Sequence, residues 1–299
     1  MNSFLGGSLG IKKRVTARVV NLFSHSEKPL ENTHLYQGDS GLFGPNSISW
    51  EVLGDVSSFV GGIRALLFQA AHPEVAAGVA DHSRYREDPL GRLSRTAYYV
   101  TSMTYGAIPE TDFAIEMVRK AHMGVSGVSE RGLTYSATSP EYSAWVHNTL
   151  TDSFLTAFQT FRRSLSEKEA DRFVQEQIKI GERMGAAPLP KTAEDLRLWV
   201  VNHPSIDESK AMEEAIAFLK KPPLSRIELA GYRILQQAAA ATIDPKIQKI
   251  LGLDHSPVSL NAGKSLIQGL RWALKFSPAW KAALIRSGAE FDPNLFRDE

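Results

Sequence analysis

The sequence predicts an all-α fold, a single multi-helical domain around a buried pocket, and three observations carry that expectation. Helix-start and helix-stop signals recur from Ser57 onward, and strand signals are nearly absent. The segment from Tyr142 to about Arg163 is apolar nearly all the way round, as a helix at the centre of a domain must be. With 299 residues and 43% hydrophobic content the chain can bury a large core. Its length suits one domain or two, and the absence of internal repeats and low-complexity runs favours one. We expect residues 1–47 to form an N-terminal helix and arm, and residues 48–299 the helical domain.

The elements follow in order. Ile11, Val15, Val19 and Leu22 share a face within Leu9 to Phe23, an amphipathic stripe that either docks on its own protein, the commoner use, or makes a peripheral membrane contact. A polar, Gly-containing arm spans Ser24 to Ser47. Ile63, Leu66, Leu67 and Ala70 then mark a core helix that stops near His72, because Pro73 cannot continue the hydrogen-bond ladder and instead opens a short Ala/Val-rich helix. Asp88 and Pro89 are an N-cap and N1 pair for a helix running toward Gly106, and Thr111 or Asp112 caps the next, to about Ser126. Ser139-Pro140-Glu141 starts the apolar helix that contains Trp145, Phe154, Phe158 and Phe161. Ser166 with Glu169, and Thr192 with Glu194 and Asp195, mark two further starts. Helices at about Ser209 to Lys220, Ser225 to Ala241, Pro245 to Leu251 and Ala262 to Lys275 complete the set, with the longest loops at Gly127 to Ser139 and Lys221 to Leu224.

Composition narrows the chemistry. Lys+Arg (34) and Asp+Glu (33) nearly cancel, so no sequence-wide field favours nucleic acid or a strongly charged substrate. The absence of cysteine excludes disulfides, thiolate-bound zinc, iron–sulfur clusters, thiolate-ligated haem and haem attached through Cys-x-x-Cys-His. Met1 to Ser24 has scattered basic residues and no continuous apolar run with a cleavage site, which predicts a soluble, cytoplasmic protein. Glu-x-x-His occurs only at Glu31 to His34, in a loop, which does not suit a di-iron bundle. His-Glu-x-x-His, Walker A and Gly-x-Ser-x-Gly patterns are missing, and Gly61-Gly62 lacks the preceding strand of a dinucleotide site.

Among eight histidines, His122 stands apart. Ala114, Met117, Val118, Ala121 and Val125 recur at helical spacing and place its imidazole on the inward face, with Glu116, Arg119 and Lys120 opposite. A buried imidazole is satisfied either by hydrogen bonds within a core or by a metal, and the pattern alone leaves both open. Gly124 and Gly127 beside it would let a flat macrocycle, or another helix, approach closely. Arg92, Arg95, Thr96 and Tyr99 fall on one stripe, which suits a carboxylate-bearing ligand or a solvated face paired with Glu87 or Asp88. His147, beside Trp145, is a reserve ligand; His72 and His82 are candidate second donors or caps; His203 reads as structural, and His25, His34 and His255 carry no role.

The run Arg64-Ala-Leu-Leu-Phe-Gln-Ala-Ala-His72-Pro through Asp81-His82-Ser83 resembles the opening of the haem-dependent rubber oxygenase (latex-clearing protein) family, shared with the farnesyl-chain-cleaving enzyme of mycophenolic acid synthesis. Asp88-Pro-Leu-Gly-Arg92-Leu-Ser-Arg95-Thr96, His122-x-x-Val125-x-Gly127, Tyr135-Ser-Ala137 and Trp145-Val-His147 follow in the same order. The resemblance covers Val52 to about Pro190 and, more faintly, continues toward residue 285. It implies haem b (iron protoporphyrin IX) on His122, with Arg92, Arg95 and Thr96 lining the cofactor and dioxygen and a small hydrophobic, isoprenoid or unsaturated lipid substrate as partners. Arg92 and Arg95 are the catalytic candidates, as guanidinium groups that hold propionates or polarise oxygen. Arg95 departs from the family's lysine, which can cap the distal iron position, and the family's distal glutamate has no match here. The alternative is a haem-binding protein without oxygenase turnover, and no nucleic-acid partner is expected.

Overall fold

A computed structural model of the chain describes residues 29–290, together with Lys12, Thr16 and Ala17. The amphipathic stripe expected at Leu9 to Phe23 lies almost wholly outside the described residues. Within them the chain is helical: α1 (Ile48–Gly54), α2 (Ser58–Gln69), α3 (Pro73–His82), α4 (Pro89–Tyr105), α5 (Ile108–His122), α6 (Pro140–Phe161), α7 (Glu167–Arg183), α8 (Ala193–Val201), α9 (Lys210–Lys220), α10 (Arg226–Ala240), α11 (Pro245–Ile250), α12 (Ser259–Leu274) and α13 (Pro278–Ser287). A two-stranded antiparallel hairpin, β1 (Ser126–Val128) and β2 (Thr134–Ser136), joins α5 to α6, with Gly127 opposite Tyr135. The all-α expectation holds.

Most boundaries obey the local rules. His72 is extended (φ −100°, ψ 109°), as the residue before a proline must be, so α2 ends and α3 opens on Pro73. The Asp88 carboxylate accepts the Gly91 N–H and starts α4; Ser166 and Glu169 exchange side-chain and backbone bonds at the start of α7. The start of α5 differs from expectation. Neither Thr111 nor Asp112 caps it: the helix begins at Ile108, and the Glu110 carboxylate reaches back to the Ala107 N–H (2.9 Å). Thr111 is fully buried and gives its hydroxyl to the Ser102 carbonyl of α4 instead. The hairpin also falls where a loop was expected, because three-residue strands are too short to show alternation.

The core is organised on α2 and α6, which pack on each other more extensively than any other pair of described elements, with α10 packed on α2 and α12 on α10. The buried face of α2 is Val60, Arg64, Ala65, Leu67 and Phe68, rotated from the expected one, and Ile63 and Leu66 are half-buried. Gly61 permits the crossing: a Cβ there would lie 2.7 Å from Phe154 Cδ1 and 3.1 Å from Phe154 Cα. Gly61→Ala should therefore destabilise the protein by ~1–3 kcal/mol, as overpacking against backbone does, read as a lower urea midpoint. The core also holds charge. Arg64 donates to Asp152 (2.6 Å) and Ser153 (2.8 Å) between α2 and α6, and Arg271 of α12 grips Asp55 through two bonds of 2.8 and 3.0 Å. At the opposite end Arg286 of α13 donates to the Asp39 and Tyr105 carbonyls and to the Thr33 hydroxyl, each at 2.7 Å.

Candidate functional site

α4 and α5 are joined by two residues and pack on each other as an antiparallel helical hairpin. Their shared base is fixed: Tyr105 donates to the Trp50 carbonyl (2.9 Å) and receives Arg286 on its own carbonyl. Val100 reaches the main core, and Tyr98 and Tyr99 touch the small cluster of Met103, Ala114, Ile115 and Ile180. Among the described residues neither α4 nor α5 packs extensively on α2 or α6.

Burial along α5 falls toward its C-terminus. Thr111, Ala114 and Ile115 are buried, whereas Val118 and His122, next on the same face, are half-exposed. Met117 (51% exposed) and Ala121 fall outside the buried face, so the expected stripe is narrower than its period suggested; Glu116, Arg119 and Lys120 are exposed as expected. His122 lies on the last turn of α5, and Arg92, Arg95 and Thr96 lie in the first half of α4, so both sets are remote in sequence from the two-residue link at the shared base.

His122 has its pKa lowered by burial, which outweighs the helix C-terminus and keeps the imidazole neutral, with a free lone pair, at pH 7. Arg92 is half-buried; burial lowers its pKa too, while the guanidinium stays charged and lies over the Tyr85 ring at 5.7 Å. Tyr99 is half-buried against the Met103 cluster, and burial drives its phenol well above the usual range. Arg95 is exposed and pairs with Asp88 (3.3 Å), and exposed Thr96 returns its hydroxyl to the Arg92 carbonyl (3.0 Å). Half-exposed Gly62 on α2 has open space where a Cβ would project, and so does exposed Gly124 after His122.

Residues 50–275 match the model of a family described as ER-bound oxygenase mpaB/B'/Rubber oxygenase, catalytic domain. The chain belongs to this oxygenase family. No curated protein and no solved structure gives a significant match. All of α2 to α6, and with them Arg92, Arg95, Thr96, His122 and His147, lie inside the rubber-oxygenase span, whereas α13 lies beyond it.

Of the other histidines of the oxygenase domain, His147, His203 and His82 have hydrogen-bond partners, whereas neither ring nitrogen of buried His72 is hydrogen-bonded, its Nδ1 lying 3.3 Å from Glu74 Oε2. His147 of α6 faces α7: a Cβ on Gly181 would come within 3.0 Å of its Nε2, and the ring is hydrogen-bonded to the Gln177 backbone. Burial lowers its pKa to about 4. His72 does not cap α3; it is buried among Tyr142, Trp145 and His203, with its pKa lowered to about 4 by burial. His203 accepts the Ser205 N–H on Nδ1 and is structural, and exposed His82 meets the Ser126 carbonyl of β1 at 3.1 Å.

One anchor was invisible in the sequence. Buried Glu74, in the first turn of α3, accepts from Ser129 (2.8 Å) and from two nitrogens of Arg131, fixing the tip of the β-hairpin four to nine residues beyond His122. Glu74 looks locally like an ordinary first-turn acid, and its partners lie 55 and 57 residues away. Tyr135 adds a bond to Asp81, and the missing Cβ of Gly127 makes room for its ring.

Proposed function

We propose that this oxygenase domain holds haem b through His122 and oxidises a hydrophobic, unsaturated substrate of isoprenoid or lipid type. One observation carries the reading: within the span matched to the oxygenase family, α5 ends in a neutral, half-buried imidazole and α4, joined to it by two residues, carries a desolvated arginine. The residues fit the cofactor. A porphyrin supplies four nitrogens itself and asks the protein for one axial donor, so no cluster of ligands is needed. Its flat faces would suit backbone such as that at Gly62 and Gly124, where a Cβ would meet open space.

When bound, haem b supplies dioxygen activation for oxidative attack on a carbon–carbon double bond. The chain's part is placement and environment. His122 would donate the imidazole lone pair, with its helix position secured by the β-hairpin that Glu74 anchors. Arg92, charged and partly stripped of water, would pair with a propionate or polarise oxygen; Arg95 would do the same from one turn away after exchanging Asp88. Thr96 would border the cofactor edge. The apolar side chains of α2, including half-buried Ile63 and Leu66, would exclude water and orient an alkene. Since an arginine stays protonated, Arg95 would not occupy the iron position that a lysine can take in the family.

Protein purified from haem-supplemented cells should show a Soret band with about one haem per chain and consume oxygen when given unsaturated terpenoids or lipids. A colourless, fully helical preparation would refute haem binding. A Soret band without oxygen uptake across the substrate panel would leave a haem-binding protein lacking turnover.

A further inference from the structure

We propose that the outward face of α12 and α13 docks on an anionic phospholipid bilayer. The near-zero net charge conceals a strong segregation. Residues 27–254 carry 24 basic and 29 acidic side chains, whereas residues 255–289 carry five basic and no acidic ones, and residues 1–26 four basic and none acidic. Lys12, a described residue of the first of these stretches, lies with its Nζ 4.0 Å from the centre of the Trp272 ring.

On α12, Gly263, Ile267 and Arg271 turn inward, and Lys264, Gln268 and Trp272 follow one another along the exposed side, with Lys275 just past the helix end. All four are exposed, and Trp272 is 50% exposed, costly for so large a ring in water. On α13, Trp280, Ala283 and Leu284 are buried, while Lys281 and Ile285 (60% exposed) face out one turn apart. An exposed tryptophan and a branched aliphatic among lysines, with no acid between Asp254 and Glu290, is the composition that sits at a headgroup boundary. The ring enters the interface, and the ammonium groups meet the negative surface. A nucleic-acid partner fits less well: the exposed cations here are lysines, because both arginines of this region are buried in ion pairs or carbonyl bonds, and the apolar side chains have no bases aligned to stack on. The inference stands on charge and exposure and does not require haem.

The test is co-sedimentation of the full-length chain with vesicles of phosphatidylcholine alone or with three-tenths phosphatidylglycerol. We expect binding to the anionic vesicles only, lost in high salt, and weakened at least about tenfold in Lys264→Gln/Lys275→Gln. Trp272→Phe should remove most of the tryptophan quenching caused by brominated lipid. Equal binding to neutral vesicles, unchanged binding of the double variant, or retention of single-stranded nucleic acid without vesicle binding would overturn the proposal. Should the double variant lose helicity, the salt titration and bromolipid quenching of the unaltered protein decide the question.

Discussion

Replacing His122 by alanine is expected to abolish the Soret band or lower haem affinity by on the order of 100-fold or more, since loss of a mere outer-shell partner already costs ~10–100-fold. Helical content should survive, because His122 lies on the last turn of α5 and is only half-buried. His147→Ala separates the two candidate ligands. That ring is wedged between α6 and α7 with one nitrogen already bonded, so its loss should reduce stability and leave the spectrum in place. The reverse pattern, an intact band without His122 and a lost one without His147, would transfer the axial role to α6. Imidazole added to His122→Gly should restore the spectrum if the defect is the missing donor rather than a collapsed site.

The second large effect is structural. Asp152→Ala should destabilise the fold by ~3–5 kcal/mol, because it leaves the Arg64 guanidinium charged and unpaired between α2 and α6, where both side chains are only 5% exposed. Against a typical total of ~5–15 kcal/mol such a loss is close to unfolding. The paired change Arg64→Met with Asp152→Leu should recover most of it, since replacing both charges by apolar groups of similar volume removes the desolvation cost along with the attraction. Urea titration of the three variants measures this directly. A loss of under ~1 kcal/mol for Asp152→Ala would mean that water reaches the pair.

These two sites show what the sequence could reveal. Pro73, Asp88 with Pro89, and Ser166 with Glu169 set helix ends through bonds within four residues, so those ends were readable. α5 was misplaced at its start because Glu110 answers to two masters: it caps Ala107 three residues back and also receives the Thr33 hydroxyl from 77 residues away. Periodicity found the face that carries His122, yet it could not show that cover ends after Ile115, since that depends on where α2 and α6 lie. For the same reason Arg95 and Thr96, readable as neighbours of Arg92, could not be told apart from it in exposure. The Arg64–Asp152 and Arg271–Asp55 pairs span 88 and 216 residues and leave no local trace.

Arg286 gives the molecule a dependence that the family resemblance does not reveal. The shared region closes at residue 275, but the guanidinium that locks the foot of the α4–α5 pair to the arm at Thr33 and Asp39 comes from eleven residues further on. The unit that evolves as an oxygenase domain and the unit that stands as a folded body are therefore not the same length: α13 is a keystone set outside the arch it holds.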